Sequence, residues 1–269
     1  MQKKEDISSG GGPGVSSYIG RHAELYDLFY ADKQYSKEAD FIHKCLQHYS
    51  KKMPKSVLEL ACGTGSHAFS LEKLGYQIFA IDNSHDMLEC AKRKAYQHSS
   101  KITFYEQDMQ KFQIPDEKFD SAICLFDSIG YVLTNTAIEQ VFSHVHLHLK
   151  ENGLFVFEFW HSAAMVKKYD PLRVRRYKYH NKEIIRISET ELDYTKNVAH
   201  VKYTILESNN NGDYKKIEET QNNRFFSISE MTLFLKNQNF EPIKFFDGYT
   251  YNETITDDTW HIVAIVRRK

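Results

Sequence analysis

Three observations predict an α/β protein: a largely parallel sheet wrapped by helices, with an antiparallel sheet inserted late in the chain. Short apolar runs alternate with amphipathic segments from Ser56 to Trp160. A glycine turn, Gly63-Thr64-Gly65, follows the first apolar run. Beyond residue 171 the apolar spacing changes to period two. Near-continuous apolar strands separated by helices belong to parallel sheets buried on both faces, whereas period two marks strands with one covered face.

The elements follow in order. MQKKEDISSGGGPGVSS, residues 1–17, is rich in Gly, Ser and Pro and has no apolar centre. It is expected to be a disordered lead-in, neither signal peptide nor anchor, before a single domain over 18–269. Two helices are expected in AELYDLFYADKQYSKEADFIHKCLQHYSK. Strands are expected at 56–61, 77–82, 102–107, 119–126 and 153–160, with helices near 66–74, 85–97 (capped by Ser84) and 135–149. The inserted sheet, about 171–226, takes strands at 175–179, 183–192, 198–207 and 214–226. Val201, Tyr203 and Ile205 share one face, and NNNGD at 209–213 makes a hairpin turn. A helix at 227–238 and strands at 241–247 and 259–267 close the chain.

Composition removes several function classes. Lys and Arg number 35 against 36 Asp and Glu, which offers no electrostatic case for nucleic acid or an anionic membrane. No apolar run reaches the roughly 18 residues of a membrane helix. Cys45, Cys62, Cys90 and Cys124 lack paired metal or redox spacing, so a reduced, cytoplasmic, metal-free protein is expected. His144, His146 and His148 flank the apolar stripe of Ile138, Phe142, Val145 and Leu149, and no further ligand is evident to make them a metal site.

The glycine turn carries the chemistry. It lets backbone approach a ligand where a Cβ would collide, and Asp82, ending the next strand, can accept both hydroxyls of a ribose. Gly63 to Ala68 also satisfies the dinucleotide pattern G-x-G-x-x-G/A, so a nicotinamide-dependent dehydrogenase is the rival reading. Three features favour S-adenosylmethionine. Glu59 is an acid inside an apolar strand, costly unless it orders the loop or meets an ammonium. Asp108 and Met109 follow the third strand, where an adenine could be read. The fourth strand opens on Phe119-Asp120 and ends CLFDSIGY.

With these segments in order, the chain resembles the class I S-adenosylmethionine-dependent methyltransferases over about residues 20–269. Glu59 and Ala61–Gly65 match the first motif, Asp82 the second, Gln107-Asp108-Met109 the third and Phe126–Tyr131 the fourth. The resemblance implies a Rossmann-like seven-stranded sheet whose last strand, in TWHIVAIVRRK, runs antiparallel. YDLFY (26–30), FDSIGY (126–131) and the inserted sheet further resemble the small-molecule subgroup containing N,N-dimethyltransferases of nucleotide-linked amino sugars. That subgroup often has Ser in place of Asp127, and His or Tyr at Tyr131.

The expected cofactor set is Tyr18, Tyr26, Tyr30, Glu59, Ala61, Gly63, Gly65, Asp82, Asn83, Met87, Gln107, Asp108, Met109, Leu125 and Phe126. Tyr131, His161 and Tyr26 are the catalytic candidates, orienting an acceptor or closing over the sulfonium, with no metal. Asp127 could help hold a cation, and Arg173 or Arg175 a substrate phosphate. The expected partner is a small polar acceptor: a nucleotide-linked sugar or amino sugar, or else an amino acid or phosphoramidate. The insertion would wall the acceptor and could pair two subunits. A non-enzymatic cofactor sensor remains a third class.

Overall fold

The computed structural model describes residues 18–269 except 116, 210 and 211. The expected lead-in and the centre of the 209–213 turn lie outside the described residues. In chain order the helices are α1 (Arg21–Glu24), α2 (Tyr26–Phe29), α3 (Tyr35–Tyr49), α4 (Ser66–Lys73), α5 (His85–His98), α6 (Asn135–His148), α7 (Ser162–Lys168) and α8 (Ile228–Asn237). The strands are β1 (Ser56–Leu60), β2 (Gln77–Asp82), β3 (Thr103–Glu106), β4 (Phe119–Cys124), β5 (Leu149–Trp160), β6 (Leu172–Tyr179), β7 (Lys182–Asp193), β8 (Val198–Ser208), β9 (Tyr214–Arg224), β10 (Phe240–Asp247) and β11 (His261–Arg268).

The main sheet has seven strands in the order β10-β11-β5-β4-β1-β2-β3. Strands β1 to β5 run parallel, and β11 is antiparallel to both β5 and β10. Period two sends alternate residues of one strand to opposite faces. Leu58 and Leu60 of β1, Phe79 and Ile81 of β2, and Ile262 and Ala264 of β11 join α6 and α8 in one core. Val57, Ile78, Ala80, Val263 and Ile265 join α3, α4 and α5 in the other. Each fully buried Leu, Ile or Phe contributes about 1.5–3 kcal/mol, so both faces must be covered, as the runs VLEL and IVAIV require.

β6 to β9 form a separate antiparallel sheet in sequential order. Val201 and Ile205 face inward on β8, and Tyr203 packs beside them. The 3-10 turn Ser128–Tyr131 joins the two sheets. A Cβ on Gly130 would lie 1.9 Å from Asn223 Oδ1 and 2.7 Å from the Arg224 carbonyl, so only glycine allows this approach.

Helix α7 was not expected, and three further differences have causes visible in the backbone. The first N-terminal helix is two single turns, α1 and α2, joined through Leu25 in helical backbone. β4 ends at Cys124 because Phe126 and Asp127 both turn left-handed, with φ of 57° and 56°. β5 starts at Leu149, its pairing with β4 slipping between Phe119↔Leu149 and Ser121↔Leu154, with Asn152 left-handed at the irregularity.

Candidate active site

Parallel α/β sheets present ligands beyond the carboxyl ends of their strands, and a cavity of about 1100 Å³ opens there. Its floor is the strand ends, carrying Ala61, Gly63, Asp82, Asn83, Gln107, Asp108, Met109, Phe126 and Asp127. Tyr18, Tyr26 and Tyr30 close one side. The inserted sheet supplies the far wall through Arg186, Ser188, Val201, Tyr203 and Gln221. This volume lies at the upper end of ligand pockets, which run to roughly 1,000 Å³.

The glycine turn is built as a cradle. Ala61, Gly63 and Gly65 have φ of 51°, 56° and 79°. Asp82 Oδ2 accepts from Gly63 N at 2.7 Å and Oδ1 from Ser84 N at 2.8 Å. Those bonds use about two of the four acceptor positions of a carboxylate and leave the others for a ligand. Burial raises the Asp82 pKa, and the N–H donors of Ser84 and Gly63 oppose the rise. Glu59 lies behind the turn, 2 % exposed, with Oε2 unpartnered. Burial, then the nearby Asp82 charge, push its carboxyl up to about 8. A neutral or newly paired Glu59 is therefore the comfortable state.

Beside the inserted sheet the hydroxyls of Tyr18 and Tyr131 meet at 2.9 Å. Tyr131 donates to Gln221 Oε1 at 3.3 Å, and Gln221 Nε2 donates to Glu219 Oε1 at 2.8 Å. Glu219 also accepts from Tyr18 N and lies 2.8 Å from His22 Nδ1. With Tyr131 committed to Gln221, Tyr18 donates to Tyr131 and keeps its own lone pairs free for an incoming N–H or O–H. Burial holds the Tyr18, Tyr26 and Tyr131 hydroxyls well above the usual range. All three stay protonated at neutral pH and act as hydrogen-bonding groups rather than bases.

Arg186 completes the far wall. It is 6 % exposed, donates to the Tyr30 hydroxyl at 3.0 Å and stacks on Phe29, Tyr30 and Tyr203. Its Nε has no partner, and no carboxylate lies within ion-pair distance among the described residues. A buried cation without a counter-ion is costly.

Not every expected residue reaches the cavity. Of the cofactor set, Glu59, Gly65 and Leu125 do not line it. Gly65 is the left-handed N-cap of α4, where a Cβ would meet Phe69 and Phe104, and Leu125 belongs to the core. His161 is a correction: it caps α7, and its Nδ1 lies 3.1 Å from the Thr259 carbonyl, away from the lining. The neighbouring strand brings His261 to the cavity instead. A convergence of three groups able to ligate a metal was also not foreseen. Asp127, Glu158 and His261 bring their ligand atoms within 4.8 Å of one another. They come from the ends of β4, β5 and β11, too far apart in sequence for spacing to show. Arg186 and Gln221 were missed as well; the inner face of the period-two strands was the signal that held them. Arg173 and Arg175 line the rim.

The comparisons with known proteins agree with this geometry. Residues 57–153 match the family model described as a methyltransferase domain. The chain is 27% identical over 220 residues to YqeM of Bacillus subtilis, a candidate methyltransferase, covering 81% of this chain and 85% of that one. It is 30% identical over 141 residues to a dTDP-3-amino-3,4,6-trideoxy-alpha-D-glucopyranose N,N-dimethyltransferase of Streptomyces venezuelae. That match covers 52% of this chain and spans little more than half, 57%, of the relative. A crystal structure of an S-adenosylmethionine-dependent methyltransferase from Clostridium acetobutylicum superposes with a TM-score of 0.78 at 25% identity, over 92% of this chain and 98% of that one.

Proposed function

We propose that this chain, a member of the class I S-adenosylmethionine-dependent methyltransferases, methylates an amine of a small polar acceptor, with a nucleotide-linked amino sugar as the favoured class. In this reading residues 18–269 act as one methyltransferase domain whose inserted sheet walls the acceptor. The observation that carries it is the Tyr18–Tyr131 hydroxyl pair, set between the cofactor motifs and the inserted sheet. The relay into Gln221 leaves Tyr18 able to accept a hydrogen bond from the acceptor. Arg186 favours an acceptor that also carries an anionic group, and the Streptomyces relative acts on a dTDP-linked amino sugar.

The residues fit the cofactor. Asp82 has acceptor positions to spare for ribose hydroxyls, Glu59 has an orphaned oxygen beneath the turn, and Gly63 leaves room for a close approach. When bound, S-adenosylmethionine supplies a methyl on a sulfonium, an excellent leaving group. The protein then mostly aligns and dries the reaction. Good alignment of a nucleophile is worth about 7–11 kcal/mol. Tyr18 and Tyr131 fix the acceptor nitrogen, Tyr26 and Tyr30 cover the cofactor side, and Phe126 packs edge-on against Tyr30 with ring centroids 4.9 Å apart. With the cofactor bound, an amine held there would gain the methyl as the carbon–sulfur bond broke, and its surplus proton would pass to water.

The test is turnover with S-adenosylmethionine on paired substrates, each nucleotide-linked amino sugar beside its hydroxyl counterpart, read by mass spectrometry. Methylation confined to the amines is expected. Methylation of the hydroxyl sugars alone would overturn the choice of nitrogen. Cofactor binding without turnover on any small acceptor would favour the sensor reading.

A further inference from the structure

We propose that Asp127, Glu158 and His261 form a binding site for one divalent transition-metal ion, of the zinc or manganese type, in the floor of the acceptor half of the cavity. His261 Nδ1 lies 2.9 Å from Asp127 Oδ2 and 2.9 Å from Glu158 Oε1. Neither contact has hydrogen-bond alignment, and Nδ1 is left without a partner by that measure. One N–H could in any case serve only one of two carboxylates along its axis. Ligand bonds of about 2.1 Å meeting at right angles, as in octahedral coordination, would place such donors about 3 Å apart, close to the 2.9 Å of the two His261 contacts.

Two further features point to a missing cation. Asp127 is 3 % exposed, yet its Oδ1 has no hydrogen-bond partner. The Trp160 indole approaches it without closing a bond, its Nε1 being unpartnered too. With both carboxylates ionised the cluster stays net negative even against a protonated ring, and a buried charge of that kind costs several kcal/mol unless a cation compensates it. Lys33 offsets part of that cost at Glu158, while Asp127 Oδ1 stays without a partner. Glu158 meanwhile is pinned as a metal-ligating carboxylate commonly is, its Oε2 accepting from Phe126 N at 2.7 Å and from the Tyr249 hydroxyl at 2.5 Å. The consecutive left-handed residues Phe126 and Asp127 hold the carboxylate at this point at the cost of backbone strain. Access is present, since Asp127 and His261 line the cavity. One nitrogen and two carboxylate oxygens suit zinc, manganese or ferrous iron better than calcium, which takes six to eight oxygens.

The site stands independently of the acceptor, and its test needs none. Full-length protein dialysed against chelator is titrated with zinc and separately with manganese, by calorimetry and by thermal unfolding. Wild type is expected to bind one equivalent and to melt higher with metal. Asp127→Asn and His261→Phe should each weaken that binding at least tenfold while S-adenosylhomocysteine affinity stays within twofold. Absence of metal binding to wild type would overturn the site. Equal metal binding by both variants would place the metal elsewhere and overturn it too. A variant that does not fold leaves the wild-type titration decisive. If metal fails to bind while the amine substrates are still methylated, the cluster is a buried ion triad and the proposed function is untouched.

Discussion

Asp82 is where the cofactor assignment is most exposed to refutation. Its two oxygens each hold one backbone N–H, at 2.7 and 2.8 Å, which leaves about two acceptor positions for ribose hydroxyls. Hydrogen bonds to a charged group are worth about 1.5–3 kcal/mol each. Asp82→Ala should therefore cost about 3–6 kcal/mol of binding, or at least about 100-fold in affinity, at about 1.4 kcal/mol per tenfold. The same change orphans the Gly63 and Ser84 N–H groups and should lower the melting temperature of the free protein. Asp82→Asn separates the two effects: the shape is kept, but its amide sets a donor against one of those N–H donors. Calorimetry with S-adenosylhomocysteine reads the affinity, and thermal unfolding without ligand reads the loop. A folded Asp82→Ala protein that binds within threefold of wild type would refute the reasoning, and the strand-end acid would be only a turn organiser.

Glu59 gives a pH prediction. Its folded pKa of about 8 lies above the ordinary 4.5, so the folded state holds the extra proton, and stability present at low pH is lost as pH rises from about 4.5 to 8. The full loss is bounded near 5 kcal/mol, at about 1.36 kcal/mol per tenfold, and Glu59→Gln should flatten it; parallel melting profiles for the two proteins would refute this. Tyr131→Phe keeps the ring and removes the relay to Gln221, so kcat/KM for the acceptor should fall about two- to tenfold, as for one neutral hydrogen bond. S-adenosylhomocysteine affinity should stay within twofold, and an equal loss of both would move Tyr131 into the cofactor pocket. Gly130→Ala must displace Asn223 or the Arg224 carbonyl; overpacking of this kind costs about 1–3 kcal/mol, and an unchanged melting temperature would show that the two sheets slide freely.

The parallel strands were legible because burial on both faces leaves an unbroken apolar run, and the insertion because one covered face leaves period two. The cavity floor was legible for a related reason. Each of its residues sits within a few positions of a strand end, so local pattern and place in the cavity coincide at Gly63, Asp82, Asp108 and Phe126. Leu125 failed by one residue, since alternation puts it in the core where Phe126 faces the cavity. His161 and His261 stand at the adjoining ends of two antiparallel strands, and His261 pairs with Trp160 in register. Choosing between the two histidines needed that register, which neither sequence segment carries alone.

The acceptor half resists local reading for a deeper reason. Its polar groups are satisfied, or left unsatisfied, by residues far away in the chain: Tyr18 by Tyr131, Tyr131 by Gln221, and His261 by Asp127 and Glu158. In the cofactor half, Asp82 is held by Gly63 and Ser84, nineteen and two residues away. A ligand common to many proteins can be gripped by one such local unit. A particular acceptor must be gripped by whatever the insertion brings over the sheet. The unpartnered atoms of Asp127, Arg186 and Trp160 follow from that division. All three residues line the cavity, so a ligand bound there would offset what their burial costs.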